Sequence, residues 1–155
     1  MSPVRHPATP QGCTNFKLRQ LARRVAQRYD AEIARAGLKG TQYSLLSAVV
    51  KLGPIRPVDL AAAMTLDAST LSRNLQPLLA AGWLVQEAGA DARSRLLRAT
   101  PQGRAKRAEA QRHWRTAQQA LNDTLGAERV VALHALIDEA LASLGADDDP
   151  AAEGG

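Results

Sequence analysis

The chain is poor in the residues that disulfides, metal sites and base-stacking platforms require. Its 155 residues hold one cysteine, Cys13, and three histidines, His6, His113 and His134, which are scattered along the sequence. One thiol cannot form an intrachain disulfide, and no group of Cys and His has the spacing of a zinc site, so neither metal nor cofactor is expected. No apolar run approaches the roughly 18 residues needed to cross a bilayer. The opening MSPVRHPATPQG lacks the apolar block of a secretory signal, and the expectation is a cytoplasmic protein without membrane contact. Paired carboxylates, a nucleophile beside a histidine and a glycine-rich phosphate loop are also missing, which argues against an enzyme.

What the chain has in quantity is positive charge, unevenly placed. Residues 13–115 carry 18 Lys/Arg against 7 Asp/Glu, whereas residues 116–155 carry 1 against 8. A basic body with an acidic end points to a polyanion as partner of the first two-thirds. Aromatics are only 3% of the chain, too few to stack many unpaired bases. Double-stranded DNA is therefore favoured over RNA or single strands. A merely solvated arginine-rich surface is the alternative on composition alone.

Periodicity divides the chain into helices and one hairpin. Residues 1–12 carry three prolines and no pattern, and read as a flexible arm. A long helix starts at Thr14, with Leu18, Leu21, Ala22, Val25, Tyr29 and Ile33 on one stripe and arginines around the rest; Gly37 ends it. A second helix runs from Gly40 or Thr41 to Leu52. Ile55-Arg56 suits a minimal strand, and Pro57 opens a short helix to Met64. Asp67 then caps a helix that Gly82 stops, with Leu71, Leu75, Leu78 and Leu79 at helical spacing. Pro77 removes a backbone donor inside that helix and crowds the carbonyl of Arg73, so a bend is expected there. WLVQEAGADARSRLLRA reads as a hairpin, and Thr100 and Pro101 open a helix to Leu125. After Gly126 a last helix spans Ala127–Leu144, and residues 145–155 have the composition of a disordered acidic tail. The expected fold is mainly α with a small β wing, a winged helix-turn-helix at about residues 41–100 flanked by dimerisation helices at about 13–36 and 101–144.

Two short helices joined by Thr65-Leu66-Asp67 form a helix-turn-helix whose second member suits a DNA major groove. Its non-core faces carry Ser69, Thr70, Ser72, Arg73 and Gln76. Arg73 is the candidate for base contact, since a guanidinium donates two parallel bonds to guanine or phosphate. The three hydroxyls suit phosphates or a thymine methyl, although Ser69 and Thr70 lie where they could instead cap the helix. On the hairpin, Gly89 permits the turn, Asp91 can hold the loop, and Arg93 can enter a narrow minor groove. Arg95 and Arg98 lie along the return strand as candidate phosphate ligands. Trp83 and Trp114 are expected in the core.

These segments resemble the MarR family of winged-helix transcription regulators. The likeness rests on VDLAAAMTLDASTLSRNLQPLLAAGWL, on the acidic-x-Arg tip Asp91-Ala92-Arg93-Ser94, and on the junction Ala99-Thr100-Pro101-Gln102-Gly103, and it spans roughly residues 13–144. Ala92 departs from it where many members carry a further arginine, which implies weaker binding by the wing. The resemblance implies a homodimer built from the first and last two helices, in accord with apolar stripes that a core of about sixty residues cannot cover. It further implies a regulator, usually a repressor, of a pseudo-palindromic operator, released by a small-molecule effector. Cys13 lies just before the first helix, where exposed N–H groups favour a thiolate, and its placement is similar to the sensor of the hydroperoxide-sensing branch. The sequence following it, Thr14-Asn15, does not match that branch, and a small residue at a dimer seam is the other reading. A winged helix that binds protein instead of DNA is the remaining alternative.

Overall fold

The computed structural model describes residues 8–91 and 93–147. Residues 1–7 of the arm expected at 1–12, Ala92, and residues 148–155 of the tail expected at 145–155 lie outside the described residues. Residues 8–12 have no regular secondary structure and end at Gly12 with φ +84°.

Among the described residues, six α-helices and one hairpin follow in order: α1 (Thr14–Ile33), α2 (Gly40–Leu52), α3 (Pro57–Met64), α4 (Ala68–Ala80), β1 (Leu84–Ala88), β2 (Arg95–Ala99), α5 (Pro101–Leu125) and α6 (Ala127–Asp147). Glycines sit where the backbone must turn left-handed: Gly37 after a 3-10 turn at Ala34–Ala36, Gly82 after α4 and Gly126 before α6. Proline opens α3 and α5, where a missing N–H costs little. The helix α4 runs on through Pro77 to Ala80. α6 continues to Asp147, three residues beyond the end expected from its leucine pattern, so residues 145–147 are helix and not tail. Ala146 favours helix, and a single Gly145 within two residues of a helix end is tolerated because few intrahelical bonds depend on it.

The strands β1 and β2 pair antiparallel, from Leu84 opposite Ala99 to Ala88 opposite Arg95. The minimal strand read at Ile55-Arg56 is a single bridge: Ile55 and Leu97 exchange backbone bonds of 3.0 and 2.8 Å.

The chain divides into two compact units, Met1–Arg115 and Thr116–Gly155, with α5 running through the boundary. The first holds the core. Ile33, Leu45, Leu46, Val49, Leu60, Leu78 and Leu97 are essentially inaccessible, contributed by α1, α2, α3, α4 and β2. Trp83 and Trp114 are half-buried against this cluster, and Tyr29 meets Trp114 at 6.4 Å between ring centroids. Gly103 is buried at the start of α5 so close to the Trp83 backbone that no side chain fits there. Lys106 donates to the carbonyl of Ala36 at 2.9 Å and stands 5.5 Å over the Trp83 ring, tying α5 to the 3-10 turn that follows α1.

In the second unit Ala117, Leu121 and Val130 are buried, while Val131, Leu136, Leu141 and Leu144 are each more than 60% exposed. Exposed apolar residues recur on α1 at Phe16, Leu18 and Leu21. Of the stripe expected along α1, Ile33 alone is fully buried.

Candidate nucleic-acid interface

The helix α4 divides cleanly by chemistry. Leu71, Leu75 and Leu78 face the core at 4% exposure or less, and Ser69, Ser72, Arg73 and Gln76 are exposed. Ser69, Arg73 and Gln76 follow the i, i+4, i+7 spacing that places side chains on one helical face. The expected polar reading face is therefore a continuous exposed surface, with Thr70 half-buried at its edge.

Its first turn is organised by Asp67. One carboxylate oxygen accepts from the Thr70 backbone N–H at 2.7 Å and from the Ser69 hydroxyl at 2.7 Å, and the other accepts from the Thr70 hydroxyl at 2.9 Å. The Ser69 hydroxyl bond, followed by the Thr70 backbone and hydroxyl bonds, lowers the Asp67 pKa from the ordinary 3.8 to about 2. Sequence reasoning identified Asp67 as the cap but missed that it also accepts hydrogen bonds from the Ser69 and Thr70 hydroxyls. The signal lay in the spacing, since hydroxyls two and three residues after a capping carboxylate reach it in the first turn. Arg73 Nη2 reaches the Thr70 hydroxyl oxygen at 3.5 Å. Ser72 makes no side-chain hydrogen bond among the described residues.

The preceding helix is held by a similar local device: Arg56 donates to Asp59 at 2.8 and 3.2 Å, a bond that raises the Arg56 pKa. Between α3, α4 and β1 lies an open apolar groove of about 210 Å³ lined by Val58, Ala61, Leu71, Leu75 and Leu79, with Ser72 and Gln76 on it. Nothing in the sequence pattern pointed to that groove, because it arises from residues of three elements.

At the wing tip one oxygen of Asp91 accepts from the backbone N–H groups of Arg93 and Ser94, at 3.0 and 2.9 Å, and from the Ser94 hydroxyl at 3.0 Å. These bonds, led by the Ser94 hydroxyl, lower the Asp91 pKa. Asp91 thus holds the loop through backbone groups, which leaves the Arg93 guanidinium outside that network. Gly89 donates to the Ser94 carbonyl at 2.7 Å, and any side chain at Gly89 would strike Ser94. Arg93 and Arg95 are exposed and carry no ion pair among the described residues. Arg98 differs: it pairs with Glu87 on the facing strand at 2.9 Å, a diagonal contact, since Arg98 stands directly opposite Val85 and Glu87 lies two residues further along β1 on the same face. Its charge is shared within the hairpin, unlike those of Arg93 and Arg95.

Cys13 is the N-cap of α1 and is exposed, without a side-chain capping bond. It lies at the opposite end of α1 from Ile33.

A helix-turn-helix with an exposed polar second helix, followed by a two-stranded wing tipped with arginine, defines the winged helix-turn-helix class. The profile described as MarR family matches residues 36–94, from the end of α1 to the wing tip. The crystal structure of the M. tuberculosis transcriptional regulator MosR in complex with DNA is 31% identical, covers 83% of this chain and 98% of that one, and superposes with a TM-score of 0.67. A mutant of MarR from E. coli complexed with operator DNA has a TM-score of 0.75 at 21% identity, covering 82% and 92% of the two chains. An uncharacterised HTH-type transcriptional regulator of Bacillus subtilis, YwoH, is 26% identical over 81 residues, 52% of this chain and 59% of that protein. The chain belongs to the MarR family of transcription regulators, which are not enzymes.

Proposed function

We propose that this protein is a homodimeric, sequence-specific regulator of transcription that binds double-stranded DNA in the cytoplasm, with α4 in the major groove and the wing beside it in the minor groove. The observation that carries the reading is the exposed face of α4, with Arg73 presented beside three hydroxyls and Gln76 over a leucine core. Arg93 and Arg95, exposed and without an ion pair among the described residues, support it, as does the DNA bound by MosR and by MarR. In this reading Ser69, Thr70, Ser72, Arg73 and Gln76 face the bases and nearest phosphates, Arg93 enters the minor groove, and Arg95 contacts a phosphate.

Two copies associate through α1, α5 and α6; Phe16 and Leu18 of α1 and Leu136 and Leu141 of α6 are exposed among the described residues, and a second copy gives them cover. A two-fold dimer reads a pseudo-palindrome whose half-sites lie about one helical turn, roughly 34–36 Å, apart. The regulator acts as a repressor that a small, partly apolar ligand releases by binding the DNA-incompetent dimer more tightly, with a coupling of about 1–3 kcal/mol.

Selection of duplexes from a random pool by the purified protein, together with analytical ultracentrifugation, tests the reading. Selected sites with dyad symmetry and a dimer at micromolar concentration are expected. A monomer that selects no common sequence would overturn it.

A further inference from the structure

Three hydroxyls lie near Arg73 on the first two turns of α4, and they are not chemically equivalent. A carboxylate with a pKa near 2 is ionised at neutral pH and can only accept hydrogen bonds. The bonds from Ser69 and Thr70 to Asp67, at 2.7 and 2.9 Å, therefore have their protons on the hydroxyls. A hydroxyl owns one proton, so both side chains have spent theirs and offer only lone pairs to anything else. Arg73 already uses one, donating to Thr70 at 3.5 Å. Ser72, with no such partner, keeps its proton available.

We propose that Asp67 sets the hydrogen-bonding polarity of the reading helix: it makes Ser69 and Thr70 acceptor-only groups that select bases bearing an amino group, and through Thr70 it positions Arg73. The inference rests on the DNA-reading role of α4. Phosphate oxygens carry no proton at neutral pH and cannot bond to an acceptor-only hydroxyl, so Ser69 and Thr70 are not phosphate clamps. In the major groove the donors that match them are adenine N6 and cytosine N4, whereas the guanine and thymine oxygens repel their lone pairs. Ser72 is the hydroxyl left to serve a phosphate. Arg73, with one of its five N–H donors engaged by Thr70, retains enough to grip guanine with two bonds. Asp67 and Thr70 are positioning residues for Arg73, and Ser69 and Thr70 are specificity determinants in their own right.

The test uses the full-length protein and the random-pool selection, with Thr70→Val, Thr70→Ser, Asp67→Asn and the double variant Asp67→Asn/Thr70→Val. Valine keeps the shape of threonine and the backbone bond to Asp67 while removing the hydroxyl. Thr70→Val is expected to lose preference by about five- to tenfold at an adenine or cytosine position and to blur the neighbouring position read by Arg73, so that affinity for the specific duplex falls further than affinity for random duplex. Thr70→Ser restores both positions. In Asp67→Asn the side-chain amide donates to the Thr70 oxygen and frees its proton, so the preference moves towards guanine or thymine. Adding Thr70→Val removes that shift but keeps the effect of deleting one negative charge. Melting temperatures confirm that each variant is folded.

If Thr70→Val instead weakens specific and random duplexes alike, the hydroxyl is a phosphate ligand and the proposal is overturned. It is also overturned if Asp67→Asn selects the parent sequence unchanged. A parent protein that selects no sequence at all overturns the functional reading itself, which separates the two failures.

Discussion

Single residues in this interface divide into those that read and those that hold the readers in place. Replacing Arg73 by alanine removes a side chain with two parallel donors. It is expected to cost about 1–3 kcal/mol in specific binding and to blur one position of the selected site. Arg93→Ala should act differently, lowering affinity for most sequences and flattening the dependence on salt, because a minor-groove arginine is held by shape and charge. Titrations of each variant against specific and random duplexes over a range of salt distinguish the two; parent-like binding by both would remove α4 and the wing from the interface. Asp67 adds a dependence on pH. Its folded pKa of about 2 lies below the ordinary 3.8, so its cap stabilises α4 fully above about pH 4 and is lost as the pH falls from about 4 towards 2. Melting curves of the parent should show this acid-induced loss. Asp67→Asn, which caps without ionising, should lack that component.

At the scale of elements, the wing and α5 are joined by very close packing. Thr100 donates its hydroxyl to the Gly82 carbonyl at 2.6 Å and accepts from the Gly103 N–H at 3.0 Å, so one side chain ties the turn after α4 to the start of α5. Gly103 then sits against the Trp83 backbone with no space for a methyl group. Gly103→Ala is expected to destabilise the protein by about 1–3 kcal/mol, since the added carbon meets main chain that cannot turn aside, and urea denaturation would measure it. Leu97, inaccessible on β2, anchors the hairpin through both its side chain and its backbone bonds to Ile55. Leu97→Ala should cost about 2–5 kcal/mol and loosen the wing along with the core.

For the whole molecule, the decisive feature is that each unit leaves large apolar side chains exposed among the described residues. Val131, Leu136, Leu141 and Leu144 of α6 and Phe16 and Leu18 of α1 are all more than half exposed. If a second copy covers them, Leu136→Asp with Leu141→Asp should yield monomers in analytical ultracentrifugation and lose the preference for dyad-symmetric sites while leaving the wing and α4 folded. A variant that stays dimeric would place the interface elsewhere.

The order and limits of the elements were legible from the chain itself, because they depend on local chemistry. Asp67, Pro57, Pro101, Gly37, Gly82 and Gly126 mark starts and stops through capping, ring constraint and left-handed backbone, each of which acts within a few residues. The leucine spacing of α4 likewise separates a buried side from an exposed one, and so marks Ser69, Ser72, Arg73 and Gln76 as surface residues by periodicity alone. The end of α6 was less legible, since residues 145–155 have the composition of a tail although three residues of helix follow Leu144. Tertiary structure alone decided what depends on residues distant in sequence: the pairing of Arg98 with Glu87, the bridge of Ile55 to Leu97, the approach of Gly103 to Trp83, and the groove between α3, α4 and β1. It also decided the direction of the hydrogen bonds at Asp67. Composition could place two hydroxyls near a carboxylate, but only distances of 2.7 and 2.9 Å commit their protons to it and leave lone pairs as what Ser69 and Thr70 have to offer.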